Sequence, residues 1–173
     1  MPEPSESDVS SSPDDRGPTA SQENTGGSAV LVGVDGADSR AAIVQAAREA
    51  RYRDAPLIAM RAYSGEHTPA AQPVSASHTG DGQRAETESR LREIIREVLG
   101  DQADTVEVRA VLGLAGRKIV ETAHRVNAQL IVLATHGSKS MLLGTVSQYV
   151  LRRAPCPVLI VPAVPAMTQP AVA

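Results

Sequence analysis

Aromatic residues are nearly absent from this sequence, which has three tyrosines and neither phenylalanine nor tryptophan. A core without aromatic side chains must be filled by Val, Ile, Leu and Ala, which suits a parallel sheet covered by alanine-rich helices. Hydrophobic residues still make up 42% of the 173 residues, enough for a full core. The length predicts one domain with tails and is too short for two ordinary domains.

Other scarcities exclude whole classes of protein. The single cysteine, Cys156, cannot form an internal disulfide, and its place between two prolines before an apolar run is typical of a small buried hydrophobe. A net charge of −3 lacks the basic excess that nucleic-acid binding requires. The sequence has no 18-residue apolar stretch and no basic region followed by an apolar one at its start. We therefore expect a cytoplasmic protein with no nucleic-acid or membrane partner.

Both ends of the chain differ in composition from its middle. Residues 1–28 are mostly Ser, Pro, Asp, Glu, Thr and Gly, which predicts a disordered acidic tail with almost nothing to bury. Residues 163–173 are rich in Pro and Ala and are also expected to be unstructured. The folded domain is therefore predicted to span residues 29–162.

Within that domain, apolar runs alternate with segments of helical periodicity. The predicted strands are Ala29–Asp35, Pro56–Tyr63, Thr105–Leu112, Leu130–Ala134 and Pro157–Val161. The predicted helices are Ser39–Arg53, Arg84–Leu99, Ala115–Asn127 and Gly144–Arg153, with a long loop over Ser64–Gln83. This order is typical of an open, doubly wound α/β sheet with right-handed crossovers.

Asp35 ends the first strand in the stretch GVDGADS. Its carboxylate is placed to accept hydrogen bonds from a ribose or a base amine, and Gly36 allows another group to approach closely. The alternative is a local turn or cap for the next helix, for which Ser39 is also placed. The stretch lacks the G-x-G-x-x-G pattern of dinucleotide-binding folds.

A second polar cluster follows the fourth strand. It has glycines at Gly137 and Gly144, and it contains further residues able to bind an anion: Thr135, His136, Ser138, Lys139, Ser140, Thr145 and Ser147. Glycines let backbone amides turn toward an oxyanion, and a helix start adds its dipole. The pattern favours anion or nucleotide binding, with a plain loop and helix cap as the alternative. It is not a P-loop, because G-x-x-x-x-G-K-[ST] is absent.

Signs of catalysis or of a protein-held metal are missing. The four histidines, His67, His78, His124 and His136, show no metal-ligand spacing. The sequence contains no nucleophile elbow and no credible nucleophile–base pair. We therefore expect no catalytic residue, no metal ligand and at most weak nucleotide hydrolysis.

Three stretches together resemble the universal stress protein family: VGVDGADSR, LIVLATHG and LLGTVSQYVLRRAPCPVLIVP. The resemblance covers residues 29–162 and implies a five-stranded parallel sheet of order 3-2-1-4-5 with helices on both faces. It implies a homodimer through the last strand and a stress-response regulator with an unidentified protein partner. It also implies an adenine nucleotide (ATP, ADP, AMP or cyclic AMP), with Mg²⁺ as an accompanying ion. The alternative is a dimeric protein-interaction module of the same fold that binds no nucleotide.

The resemblance also implies a nucleotide site. Asp35 would face the ribose or adenine, Ala62 would line the adenine slot, and the glycines and hydroxyls after the fourth strand would hold phosphates. The implied residues are Gly33, Val34, Asp35, Ala62, Gly113, Ala134, Gly137, Gly144, Thr145, Val146 and Ser147. Ala134 stands where the family's pattern has its first glycine, and only six residues separate Gly137 from Gly144. Because this loop is shorter than in the ATP-binding pattern, we expect ATP to have little advantage over ADP or AMP.

Overall fold

The computed structural model describes residues 28–64, 80–135 and 143–163. Strands and helices alternate along these residues. The strands are β1 (Val30–Gly33), β2 (Leu57–Tyr63), β3 (Glu107–Leu112), β4 (Leu130–Ala134) and β5 (Val158–Val161). The helices are α1 (Arg40–Tyr52), α2 (Gly80–Leu99), α3 (Ala115–Arg125) and α4 (Thr145–Arg153). Gly137, residues 1–27 of the first predicted tail and residues 164–173 of the second lie outside the described residues.

The five strands form one parallel sheet in the order β3-β2-β1-β4-β5. This confirms the predicted topology. β1 lies at the centre, paired with β2 on one side and β4 on the other. Parallel strands covered on both faces are expected to be apolar throughout, and Val30, Leu31 and Val32 of β1 are all fully buried.

Helices cover both faces of the sheet. Alternate residues of each strand point to opposite faces, so Val30 and Val32 pack with α1 and α2 while Leu31 packs with α3 and α4. The alanine-rich face of α1 packs against the face of the sheet that carries Val30 and Val32. The residues it buries there are Ala42, Ile43, Ala46, Ala47 and Ala50. Small residues let this helix lie close to the sheet, which fits the expectation of a core without rings.

The predicted bounds of the second helix were wrong at its start. The helix begins at Gly80 rather than Arg84, so the end of the predicted loop Ser64–Gln83 is helical. The first turn of this helix is exposed or half-buried, so its sequence lacks the apolar residues that would mark a helix. Asp81 in this turn interacts favourably with the helix dipole. The α-helix ends at Leu99 as predicted, and the chain continues as a 3₁₀ turn over Gly100–Thr105.

Cys156 is half-buried rather than fully buried as expected. It packs against the core on the α3 and α4 face, and burial raises the pKa of its thiol. The neutral thiol is thus favoured, which agrees with its expected role as a small apolar side chain. Among the described helices, none is long and apolar enough to cross a membrane.

The apolar stripe of α2 attaches this helix to the sheet. Leu91 and Ile95 are 0% and 1% exposed, while Ile94, Val98 and Leu99 pack around them half-buried. The helix is otherwise polar and carries ion pairs one turn apart, such as Arg90–Glu86. Such exposed pairs contribute little, so the stripe supplies most of the attachment.

We predict that Leu91→Ala lowers the free energy of unfolding by about 2–5 kcal/mol, because it leaves a cavity under α2. Urea unfolding followed by circular dichroism measures this loss. The matched control is Glu93→Ala, an exposed position on the same helix, which should change stability by less than about 0.5 kcal/mol. Equal effects of the two variants would contradict the packing described.

Candidate functional site

A cavity of about 90 Å³ lies where the carboxyl ends of β1, β2 and β4 meet, between the sheet and the helices α3 and α4. After β3 the chain crosses to the other side of β1, so the strand order reverses at this point. Ligands in open parallel sheets bind at such reversals, outside the carboxyl ends of the strands. The cavity is therefore the candidate site.

The structure brings together most of the residues implied from sequence. Those that line the cavity are Gly33, Val34, Asp35, Ala62, Ala134, Val146 and Ser147. Gly144 and Thr145 are exposed residues at the start of α4 and do not line it. Gly113 does not line it either: its N–H donates to the Tyr63 carbonyl and the Lys118 side chain lies beside it. Gly137 lies outside the described residues.

The cavity is also lined by residues that were not among the implied site residues. These additional lining residues are Ser39, Met60, Ala115, Ile119 and Leu133. In the sequence, the apolar members look like ordinary core residues. Only the fold shows that they lie at the cavity. The place of Met60 in the cavity was predictable from the sequence, because Met60 precedes Ala62 by two positions and so faces the same side of β2.

Gly33 lies at the end of β1, under two of these side chains. An added Cβ there would lie 2.7 Å from Leu133 Cδ2 and 3.2 Å from Ile119 Cδ1. The first distance is shorter than real carbon contacts, so a larger residue would displace Leu133. Because both neighbours line the cavity, glycine at this position keeps its inner end open.

The turn after β1 is closed by two hydrogen bonds. The Asp35 N–H donates to Ser39 Oγ over 3.1 Å, and the Ser39 N–H donates to the Gly36 carbonyl over 3.1 Å. The prediction that Ser39 caps α1 was wrong: its backbone is helical (φ −80°, ψ −2°) and its side chain makes no capping bond. A capping side chain needs an extended backbone to reach the helix N–H groups, so here the hydroxyl points back to the strand.

Thr135, the first hydroxyl of the predicted anion cluster, holds the end of the last strand. Its N–H donates to the Val161 carbonyl over 2.9 Å, and its Oγ1 accepts the Ala163 N–H over 3.1 Å. It does not line the cavity. Its place in the sequence, directly after an apolar strand, did not distinguish this structural role from ligand binding.

Helix α4 begins beside the cavity. Gly144 is extended at its N-cap (φ −62°, ψ 162°) and has no side chain to bond the first N–H groups. Ser147, 5% exposed, lines the cavity from the first turn. Gln148 Nε2 donates to the Leu143 carbonyl over 2.7 Å, which closes the turn before the helix. An N-terminus without a capping side chain directs N–H groups and the positive end of the dipole toward an anion.

A larger cavity, about 620 Å³, lies at the opposite, amino-terminal end of the strands. It is bordered by the ends of α1 and α2 and by the start of β2, with Arg51 and Asp54 at its rim. Helix C-termini present carbonyl groups and the negative end of the dipole. The smaller cavity is thus the better anion site, because it lies beside a helix start.

Protein-held metal chemistry has no support within the described residues, where no group of three His, Cys, Asp or Glu side chains is placed to hold an ion. Among the described residues that line the cavity, Asp35 is the one with a charged side chain. Elsewhere on α3, Lys118 Nζ donates to Glu121 Oε2 over 2.8 Å. Hydrogen bonding to Lys118 holds the pKa of Glu121 below its usual value.

Known proteins share this architecture. The universal stress protein UspA from Lactobacillus plantarum is 26% identical and matches 78% of this chain and 97% of its own, with a TM-score of 0.59. A universal stress protein solved in complex with cAMP is 27% identical and matches 81% of this chain and 100% of its own, with a TM-score of 0.56. A universal stress protein from Archaeoglobus fulgidus in complex with dAMP shares the fold at 23% identity and a TM-score of 0.51, over 77% of this chain and 96% of its own.

The sequence comparison covers the entire fold. The sequence model of the Universal stress protein family matches residues 28–162, which include every strand and helix of the sheet described above. The order of the five strands agrees with this match. The chain belongs to the universal stress protein family.

Proposed function

We propose that this protein binds an adenine nucleotide in the cavity at the carboxyl ends of β1, β2 and β4. We further propose that it acts as a cytoplasmic stress-response regulator through a protein partner. The observation that carries the binding proposal is the convergence of Asp35, Ala62 and Ser147 on one cavity beside the start of α4. A related protein that is 27% identical was solved with cAMP, which supports an adenine nucleotide as the ligand.

Each part of a nucleotide has a matching group in this site. Apolar surface from Met60, Ala62 and Val146 suits a flat base, because a base gains free energy by leaving water. The carboxylate of Asp35 suits ribose hydroxyls, since it accepts hydrogen bonds from them. The first turn of α4 suits phosphate. Mg²⁺, if it accompanies the ligand, would be held by phosphate oxygens rather than by a protein cage.

One observation favours the second candidate, a protein-interaction module without a nucleotide. The cavity holds about 90 Å³, whereas ligand pockets commonly hold about 300–1,000 Å³. Leu133 and Ile119 lie over Gly33 at its inner end and contribute to this small volume. Nucleotide binding therefore requires the ligand to extend past the mouth of the cavity, beyond Asp35 and the start of α4. The two candidates are separated by direct binding measurements.

We predict that Asp35→Ala weakens binding of AMP about tenfold or more, because losing a charge-assisted hydrogen bond costs about 1.5–3 kcal/mol. Isothermal titration calorimetry with ATP, ADP, AMP and cyclic AMP measures the affinities of wild type and variant. Asp54→Ala, at the rim of the larger cavity, is the matched control and should leave them unchanged. Absence of heat and of a thermal shift with all four nucleotides in the wild type would leave the interaction module as the function.

We predict that Gly33→Ala weakens AMP binding in a protein that still folds. The added methyl group pushes Leu133 into the cavity, and both displaced side chains have flexible ends that absorb the strain. We expect at least a fivefold loss of affinity in calorimetry, with a loss of unfolding free energy of about 1–3 kcal/mol. The control is Gly80→Ala, where an added Cβ meets nothing within 4 Å. Unchanged affinity in Gly33→Ala would show that the ligand does not use the inner end.

We also propose that two copies of the chain pair through β5. This strand bonds only β4 within the described residues, and its four apolar side chains are half-buried. An apolar edge with free backbone groups favours pairing. A second copy presenting the same strand antiparallel satisfies both edges, as a twofold axis requires. The alternative is a monomer in which the C-terminal tail covers the edge.

We predict that Ile160→Lys shifts the mass measured by light scattering from dimer toward monomer at micromolar concentration, because it places a charge in the paired edge. Leu112→Lys is the control: this leucine is exposed on β3, the strand at the other edge of the sheet, and its replacement should leave the dimer intact. Far-UV circular dichroism checks that both variants are folded. A wild type that is monomeric at micromolar concentration would contradict the proposed pairing.

A further inference from the structure

Ser39 occupies an unusual position for a serine that precedes a helix. It is 3% exposed, yet it caps nothing, and its hydroxyl oxygen accepts the N–H of Asp35 at the end of the central strand. Ser39 also lines the cavity. A buried hydroxyl placed between a backbone group and a binding cavity is well placed to control the geometry of that cavity.

The bond from Asp35 to Ser39 fixes a short segment at both ends. Val34, just before Asp35, donates its N–H to the Met60 carbonyl over 2.9 Å and so belongs to the sheet. Ser39 is anchored by burial against the core and by its own N–H, which bonds the Gly36 carbonyl. The Asp35 N–H joins the two anchors. The Asp35 backbone is thus held from the helix side as well as from the strand side.

The fixed backbone has a consequence for the exposed carboxylate of Asp35. A side chain at the mouth of a cavity loses conformational entropy when a ligand orders it. A side chain whose backbone is already fixed loses less conformational entropy on binding, so more of the interaction energy contributes to affinity. Gly36, which follows with φ +157°, cannot supply this rigidity because glycine is the most flexible residue.

We propose that Ser39 is a positioning residue of the nucleotide site, holding the Asp35 backbone so that its carboxylate stays at the mouth of the cavity. The role rests on the proposed nucleotide function and goes beyond it, because Ser39 acts through Asp35. It predicts that the two residues are energetically coupled in binding. A serine that only stabilised the fold would show no such coupling.

The test is a double-mutant cycle with AMP in isothermal titration calorimetry. Ser39→Ala should weaken binding about fivefold or more when Asp35 is present, as expected for the loss of one hydrogen bond. In the Asp35→Ala background the same change should weaken it less than about twofold. Ser39→Thr, which keeps the hydroxyl, should restore most of the affinity. Equal losses in both backgrounds, or no loss in either, would overturn the proposal.

Two further variants separate positioning from folding. Thr122→Val replaces a buried hydroxyl on α3 outside the cavity and should leave AMP affinity unchanged whatever its effect on melting temperature. Ser39→Cys keeps the size of the side chain but offers only a weak acceptor, so it reproduces the binding loss if Ser39→Ala does not fold. A loss of affinity in Thr122→Val matching that of Ser39→Ala would contradict a specific role.

Amide hydrogen exchange gives an answer that needs no ligand. In Ser39→Ala the Asp35 amide should exchange at least about tenfold faster than in the wild type, while the Val34 amide, bonded within the sheet, stays protected. Unchanged exchange at Asp35 would overturn the proposed hydrogen-bond role even where nucleotide binds. If the wild type binds no AMP, the nucleotide function and the binding role of Ser39 both fail, and the exchange result still shows whether Ser39 holds Asp35.

Discussion

The burial of β1 on both faces and its pairing on both edges is the constraint on which the rest of the structure depends. Since β1 is the central strand, its carboxyl end lies between those of β2 and β4, and all three open on the same edge of the sheet. Gly33 is the last residue of β1, and Asp35 and the turn to Ser39 follow it. The position of the candidate site thus depends on β1, which cannot be displaced without exposing the core.

Much of this arrangement was predictable from the sequence. Alternating apolar runs and amphipathic segments predict the order of strands and helices, since each pattern buries one kind of surface. The family resemblance implied that Asp35, Ala62 and Ala134 belong to one site, and these residues line one cavity. The family resemblance gave the strand order that periodicity alone leaves open.

Other features depend on distances that no local pattern encodes. Ser39 fits a capping pattern by position, but its backbone torsions direct the hydroxyl to Asp35 instead. Thr135 fits an anion cluster, yet it bonds Ala163, which is far along the chain. Leu133 and Ile119 are ordinary apolar residues until the fold places them over Gly33. In each case the deciding contact depends on tertiary packing or on backbone torsions that a local sequence pattern does not determine.

We propose that a nucleotide binds at the carboxyl ends of the strands rather than at the larger cavity at their amino ends. A titration of ¹⁵N-labelled protein with AMP, followed by amide chemical shifts, tests it most directly. We expect the shift changes to concentrate at Val34, Asp35, Ala62 and Ser147, while the amides of Leu57 and Gln102 at the larger cavity stay unchanged. Shifts confined to Leu57, Gln102 and their neighbours, or no shifts at saturating AMP, would contradict it.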